Sequence, residues 1–258
     1  MNQIIHPLTK NLAGTIGWYY RHLGTGETHE HQARQPYLAA SVIKLSILLA
    51  VFQAMEEGRC HRDDRLVLQE ADKLPSCGAL TDLHPGLEIT LQDCYRLMIT
   101  LSDNTATNLL IQRVGMDWVN EVIQSAGLSH TQLNRLLFDS EAQQQGRENT
   151  FSPADAGKLL EMIHRRTFVS EAWSLEAEAI LKRQQLKNKL RALIPRQIPI
   201  GHKTGEDTDI THDVGIIYTR QPFILCLAAN GTDVIQTEEV FRQVALRCYQ
   251  YTELSCTC

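Results

Sequence analysis

At 258 residues and 43% hydrophobic composition, the chain carries enough apolar mass for a large core, as one big domain or two interleaved lobes. A formal net charge of −5 without a long basic run argues against nucleic acid or an anionic membrane as the main partner and leaves a small molecule as the expected one. No stretch approaches the roughly 20 apolar residues that span a bilayer, and Met1-Asn2-Gln3-Ile4-Ile5-His6-Pro7 lacks a secretory signal's apolar core, so the expected location is cytoplasmic, or periplasmic or secreted if a leader was removed.

Gly14 to Tyr20 is rich in β-branched and aromatic residues, and Gly24-Thr25-Gly26 supplies a turn before Glu27 to Gln32, which predicts a hairpin. In its second arm His29-Glu30-His31 alternates as a strand edge does, and a zinc site would need further ligands that nothing supplies. Ala40-Ser41-Val42-Ile43-Lys44 then opens a run to Phe52 that is apolar on all sides, the mark of a helix surrounded by protein. In a helix this spacing puts Ser41 and Lys44 on one face, one turn apart. Desolvation there disfavours the ammonium, and a neutral amine can take a proton from the Ser41 hydroxyl. Composition alone yields roughly one Ser-x-x-Lys in a chain of this length, so the motif needs company.

Glu56-Glu57-Gly58 stops this helix, and Arg59 to Glu88, with Pro75 and Pro85, reads as loop with short helices. Thr90-Leu91-Gln92-Asp93 is a capping box with Asp in place of Glu, opening a helix through Leu101. Ser102-Asp103-Asn104 interrupts it. Asn104 or Thr105 is expected to cap the next helix, Ala106 to Val114, which Gly115 ends, and Met116 to Ala126 follows, closed by Gly127. Ser152-Pro153-Ala154-Asp155 starts another helix with a cap, a first-turn proline and an acid, and Ser170 to Leu193 holds one or two more. From Ile198 the pattern turns to strands, with Asp213 to Thr219 and Phe223 to Ala229 joined by Arg220-Gln221-Pro222. Thr237 caps a closing helix to about Tyr251, and Thr252 to Cys258 is a tail. Strands at both termini must find partners in one mostly antiparallel sheet. The expected class is therefore α+β, with a sheet lobe of 1–38 and 199–258, an all-helical lobe of 39–198 and a site in the cleft between them. The seven cysteines, Cys60, Cys77, Cys94, Cys226, Cys248, Cys256 and Cys258, form no Cys-x-x-Cys pair and read as reduced thiols.

Ser41-x-x-Lys44, Ser102-Asp103-Asn104 and Lys203-Thr204-Gly205 occur in the order found in class A β-lactamases and penicillin-binding proteins, and the chain resembles that family from Gly14-Thr15-Ile16-Gly17 to the strands after Lys203. The resemblance implies a β-lactamase-like fold in which Ser41 is the nucleophile, Lys44 its base, directly or through a relay, and Ser102 the hydroxyl that passes a proton to the leaving nitrogen. Two lysines converging on one pocket repel each other, which favours a neutral amine at one of them. By the same resemblance Lys203, Thr204 and Gly205 form a substrate-binding edge, with Lys203 and Thr204 on a carboxylate. Asn104 would take a substrate amide, and the backbone N–H groups of Ser41 and Glu206 would form the oxyanion hole. A helix cap is the rival role for Asn104.

The family's water-activating glutamate falls on Leu137, and a leucine accepts no proton. Either Asp139 or Glu141 substitutes for it, or deacylation uses the Lys44 side as in penicillin-binding relatives; both acids could equally be solvated or brace the loop. Cys77 falls where relatives place an aromatic at the pocket rim. His212 falls where many carry an arginine, and it would hold a carboxylate only when protonated. No metal or cofactor is implied, and a monomer is expected. The leading expectation is an acyl-enzyme hydrolase of β-lactams or related amides and esters, slow to deacylate with β-lactams. A D-alanyl carboxypeptidase or transpeptidase, an esterase or amidase of secondary metabolism, and a β-lactam-binding sensor without turnover are the alternatives.

Overall fold

A computed structural model describes residues 1–254; Cys256 and Cys258 lie outside the described residues. The elements in chain order are α1 (Asn2–Thr9), β1 (Thr15–His22), β2 (Thr28–His31), β3 (Tyr37–Leu38), α2 (Lys44–Glu56), β4 (Arg65–Val67), β5 (Glu88–Thr90) and α3 (Leu91–Thr100). Then come α4 (Asn104–Val114), α5 (Met116–Ser125), α6 (Ser140–Gln144), β6 (Thr150–Phe151), α7 (Pro153–His164), α8 (Glu171–Leu181), β7 (Ile200–Asp207), β8 (Ile210–Ile217), β9 (Phe223–Asn230) and α9 (Val234–Leu254).

The two ends of the chain meet in one sheet of order β2-β1-β9-β8-β7, antiparallel at every pairing. Because side chains alternate across a strand, Phe223, Leu225, Leu227 and Ala229 of β9 join Trp18 and Tyr20 of β1 in a core that also holds Ile5 of α1 and Phe241 of α9. Ile224, Cys226 and Ala228 face the other way, into the core built around α2. Both faces are covered, which is why Phe223 to Ala229 reads as an unbroken apolar run rather than an alternation. The class is α+β, with helices packed on a sheet drawn from both termini.

Every residue of α2 except Gln53 and Glu56 is buried, as an all-round apolar helix requires. Phe52 sits at its centre among Tyr95, Phe168 and Trp173, with ring centroids 5.1, 6.2 and 4.5 Å away. Each large apolar side chain buried here contributes roughly 1.5–3 kcal/mol. The helix bearing the Lys44 amine is therefore held by packing along nearly its whole length.

Several local expectations hold. Thr90 and Asp93 cap α3 reciprocally, and Ser152 caps α7 with Pro153 in its first turn. Others are corrected. Asp103, not Asn104 or Thr105, caps α4 by accepting from Ala106 N at 2.8 Å. Residues 59–88 hold short 3-10 helices at Glu70–Asp72 and Leu80–Asp82, as expected of loop with short helices, but also β4, which pairs with β5. Helix α8 ends at Leu181, β8 begins at Ile210, and α9 begins at Val234, where Asp233 accepts from Gln236 N. Helix α1 was not foreseen: it has no side-chain cap and carries Pro7, so its signal lies in its packing on α9. The five described cysteines are unpaired. Among the described residues no helix is long and apolar enough to cross a membrane.

Candidate active site

Ser41 lies in a tight 3-10 turn, Ala40–Ile43, that runs straight into α2, whose first residue is Lys44. The turn is held by Val42 N donating to Ala39 O and Ala39 N to Asn149 O, 2.9 and 2.8 Å. Ala40 takes φ +40°, a left-handed conformation that a non-glycine residue keeps only where its surroundings impose it. The result places Ser41 on the wall of a cleft of about 660 Å³.

Beneath it, Lys44 is fully buried and its Nζ donates to Ser102 O (2.6 Å), Ser102 Oγ (3.0 Å) and Asn104 Oδ1 (2.8 Å). Lys203, also fully buried, reaches the same Ser102 Oγ at 3.0 Å and Thr204 O at 2.7 Å. Ser102 itself has φ +56°, so its hydroxyl is held between two amines by a strained backbone. Burial, then the charge of Lys203, pushes Lys44 well below its ordinary value. Burial brings Lys203 down to about 7, with Asp213 opposing the shift. Among the described residues no hydrogen bond joins Ser41 Oγ to Lys44 Nζ, because the amine is turned to Ser102 and Asn104. A neutral amine keeps two N–H donors for the two carbonyl-type oxygens, Ser102 O and Asn104 Oδ1. The third contact must then reverse, with Ser102 Oγ–H donating to Lys44, and a proton path between the two lysines results.

Asp103 braces the neighbouring wall. Its carboxylate accepts from Ala79 N (2.7 Å), Leu80 N (2.9 Å) and Ala106 N (2.8 Å). Gly78, at φ +127°, lies so close that a Cβ there would stand 2.4 Å from that carboxyl. Asn104 is not a cap: its Nδ2 donates to Pro75 O and its backbone N to Cys77 O, while its Oδ1 holds Lys44. Asn104, Ser76 and Cys77 line the cleft together.

The opposite wall is the 131–149 loop. Arg135 pairs with Glu148 at 2.7 Å, and Asn149 Oδ1 accepts from Asn134 N and Arg135 N. Asn108 clamps Leu137 from α4, donating to its C=O and accepting from its N–H, both at 3.0 Å. Leu137 and Phe138 thereby face the cleft. Asp139 and Glu141 do not line it: Asp139 caps α6 through Ala142 N, and Glu141 is exposed beside Gln145. Glu148 does line the cleft, already paired with Arg135.

On β7, Thr204 and Gly205 are buried and Glu206 opens to the cleft. A Cβ on Gly205 would lie 3.1 Å from both His212 Cδ2 and Val42 Cγ2, so glycine lets the strand pass the Ser41 turn without displacing either side chain. Glu206 is bound by the fully buried Lys189 at 2.6 Å. Although burial works to raise it, that ammonium brings the Glu206 carboxyl below its ordinary range. His212 requires a correction. Its Nε2 donates to Leu38 O (2.8 Å), its Nδ1 accepts from Ala229 N (3.2 Å), and its ring packs on Phe151. Burial drives it to about 3, so it is a neutral brace rather than a cation for a carboxylate. Lys189 and Asn108 were not foreseen as partners of the site, since nothing local distinguishes a lysine or asparagine whose contact lies on another element. Among the described residues no group of three or more His, Cys, Asp or Glu gathers as metal ligands do.

The family model described as the β-lactamase enzyme family matches residues 1–252. A β-lactamase of Rhodobacter capsulatus is 26% identical over 53% of this chain and 46% of its own length; β-lactamase L2 of Stenotrophomonas maltophilia is 26% identical over 92% of this chain and 81% of its own. Among solved structures, a β-lactamase from Sphaerobacter thermophilus superposes with TM-score 0.88 at 33% identity, covering 98% of this chain and 96% of that one. PBP-A superposes with TM-score 0.89 at 30% identity, covering 98% and 95%. A PBP-A variant with leucine replaced by glutamate, in an acyl-enzyme complex with penicillin G, is equally similar in fold, TM-score 0.88.

Proposed function

The chain belongs to the β-lactamase enzyme family, and from that premise we propose that it is a serine hydrolase that forms an acyl-enzyme through Ser41 on a β-lactam or a related amide or ester. The observation that carries this reading is the buried cluster of Lys44, Ser102 and Lys203, whose Lys44 opens the helix that follows the Ser41 turn. In acylation, neutral Lys44 exchanges its contact with the Ser102 hydroxyl for Ser41 Oγ and takes the Ser41 proton as Oγ bonds to the substrate carbonyl carbon. The Ser102 hydroxyl gives its proton to the departing nitrogen and is resupplied from the Lys44 side. Lys203 supplies positive charge for a substrate carboxylate, with Thr204 beside it. The N–H groups of Ser41 and Glu206 take the oxyanion.

Leu137 at the cleft, with Asp139 committed to a helix cap, favours a second step that is slow for β-lactams. The acyl-enzyme captured in the leucine-to-glutamate variant of PBP-A supports the same chemistry in a similar fold. A substrate whose leaving group departs and frees Lys44 and Ser102 to act on water, such as a D-alanyl peptide or ester, fits the intended turnover better than a lactam, whose nitrogen stays tethered. The test is intact-protein mass after mixing with a penicillin and, separately, with a D-alanyl ester. A penicilloyl adduct that persists, together with turnover of the ester, is the expected pair of results. No adduct from either, in folded protein, would refute the reading.

A further inference from the structure

We propose that a second cavity, reached from the sheet face opposite Lys203, is a binding site for a small oxyanion of the phosphate class. Its volume is about 280 Å³, and Lys182, Lys187, Arg191, Arg196 and His202 line it without a single Asp or Glu. Concentrating cations in this way within a chain of net charge −5 costs Coulomb energy unless an anion offsets it.

The individual partners of these groups leave that charge open. Lys182 is neutralised by Glu178 and lies over the Tyr218 ring. Arg191 donates to the carbonyls of Ile198 (2.6 Å), Pro195 (3.3 Å) and Arg196 (2.5 Å), which fix its fork but do not cancel its charge. Burial, with Arg196 close by, holds the Arg191 guanidinium below its ordinary value. Among the described residues no carboxylate pairs with Lys187, Arg191 or Arg196.

His202 gives the cavity a polar floor. It is 2% exposed, and its Nδ1 lies 2.9 Å from Asp213 Oδ1; the other Asp213 oxygen accepts from Leu190 N at 3.0 Å. Among the described residues no hydrogen bond reaches Nε2, so the ring's free edge is the part left for the cavity. With Nδ1 committed to Asp213, Nε2 is the ring nitrogen left to contact one oxygen of a phosphate group, while the guanidiniums and ammoniums take the remaining oxygens. His202 and Lys203 are consecutive on β7 and point to opposite faces, so this site is separate from the acyl cleft and does not rest on the reading of Ser41.

The test is a titration of the whole chain with inorganic phosphate, against sodium chloride at matched ionic strength, followed by amide chemical shifts. A second titration with glycerol phosphate distinguishes free from esterified phosphate, and saturation by either upholds the site. The expected result is saturable movement of amides in 182–202, weakened about tenfold or more in Lys187→Gln/Arg196→Gln, whose altered side chains are exposed. Movement confined to the Ser41 and Glu206 side, no saturation, or equal affinity in parent and folded double variant would overturn the proposal.

Discussion

Behind the Asn104 side of the cleft Lys44, Ser102 and Lys203 meet in a buried cluster, rooted in an apolar helix and the edge strand of the sheet and joined to the lining through the Lys44–Asn104 contact. On the other side the 131–149 loop presents Leu137 and Phe138, and its polar groups are spent on its own frame: Asn108 on the Leu137 backbone, Asn149 on Arg135, Asp139 on α6. The first side sets two buried amines on one hydroxyl, whereas the second turns leucine and phenylalanine to the cleft and keeps its lining carboxylate, Glu148, paired with Arg135. In the proposed reaction, forming and breaking an acyl-enzyme are separable demands, and the difference between the two sides is what makes the proposal assign a faster first step than second.

The largest expected effect comes from removing the nucleophile. Ser41→Ala should abolish covalent labelling by β-lactams and activated esters while leaving the fold unchanged, as judged by intact mass and circular dichroism; labelling at another residue would break the assignment. Lys44→Ala should slow acylation by about 10²–10⁴-fold in stopped-flow measurements, the usual cost of a positioned base. An unaltered acylation rate would transfer that role elsewhere.

Leu137→Glu converts the second wall towards the first. It should accelerate deacylation of the penicilloyl enzyme on the order of 10²-fold with little change in acylation, since Asn108 already fixes the backbone at that position. A rate left where it was would mean that the loop cannot direct a carboxylate at the ester.

Smaller effects sharpen the contrast. Lys203 is held at about 7, so its ammonium is present below that pH and lost above it. KM for carboxylate-bearing substrates should therefore rise as pH increases through 7, while neutral esters show no such rise and Lys203→Ala removes it. His212, held at about 3, should contribute nothing to this profile between pH 5 and 9, and a profile altered by His212→Asn in folded protein would contradict its bracing role. The smallest change is Asn108→Ala, which strips the Leu137 N–H and C=O of their partner and should cost roughly 1–3 kcal/mol in urea unfolding. It should disturb deacylation more than acylation.

What was legible in the sequence was what is local. The box of Thr90 and Asp93 and the cap at Ser152 each carry their structure within a few positions, and each holds, whereas Ser41 lies in a 3-10 turn ahead of the α-helix that Lys44 opens and the amine turns to Ser102 and Asn104. The order of the three motifs carried the family, and with it a sheet drawn from both chain ends. Contacts that join distant positions left little trace. Helix α1 is held by packing on α9 rather than by its own propensity, and the choice between Asp103 and Asn104 as cap depends on Lys44, on another helix, claiming the Asn104 amide oxygen. His212 failed for a similar reason: its neutrality comes from burial within the sheet, where Leu38 and Ala229, brought by other strands, occupy its two ring nitrogens. Asp139 and Glu141 are close to Leu137 in sequence, but the Asn108 clamp and the α6 cap aim them away from the cleft.

The central claim is that one wall acylates and the other fails to release a β-lactam. It is tested most directly by following intact-protein mass over time after mixing with excess penicillin. The account predicts a rapid gain of one penicilloyl group per chain, lost slowly and absent in Ser41→Ala, with product released in a burst followed by slow turnover. Rapid steady hydrolysis with no adduct and no burst would contradict it.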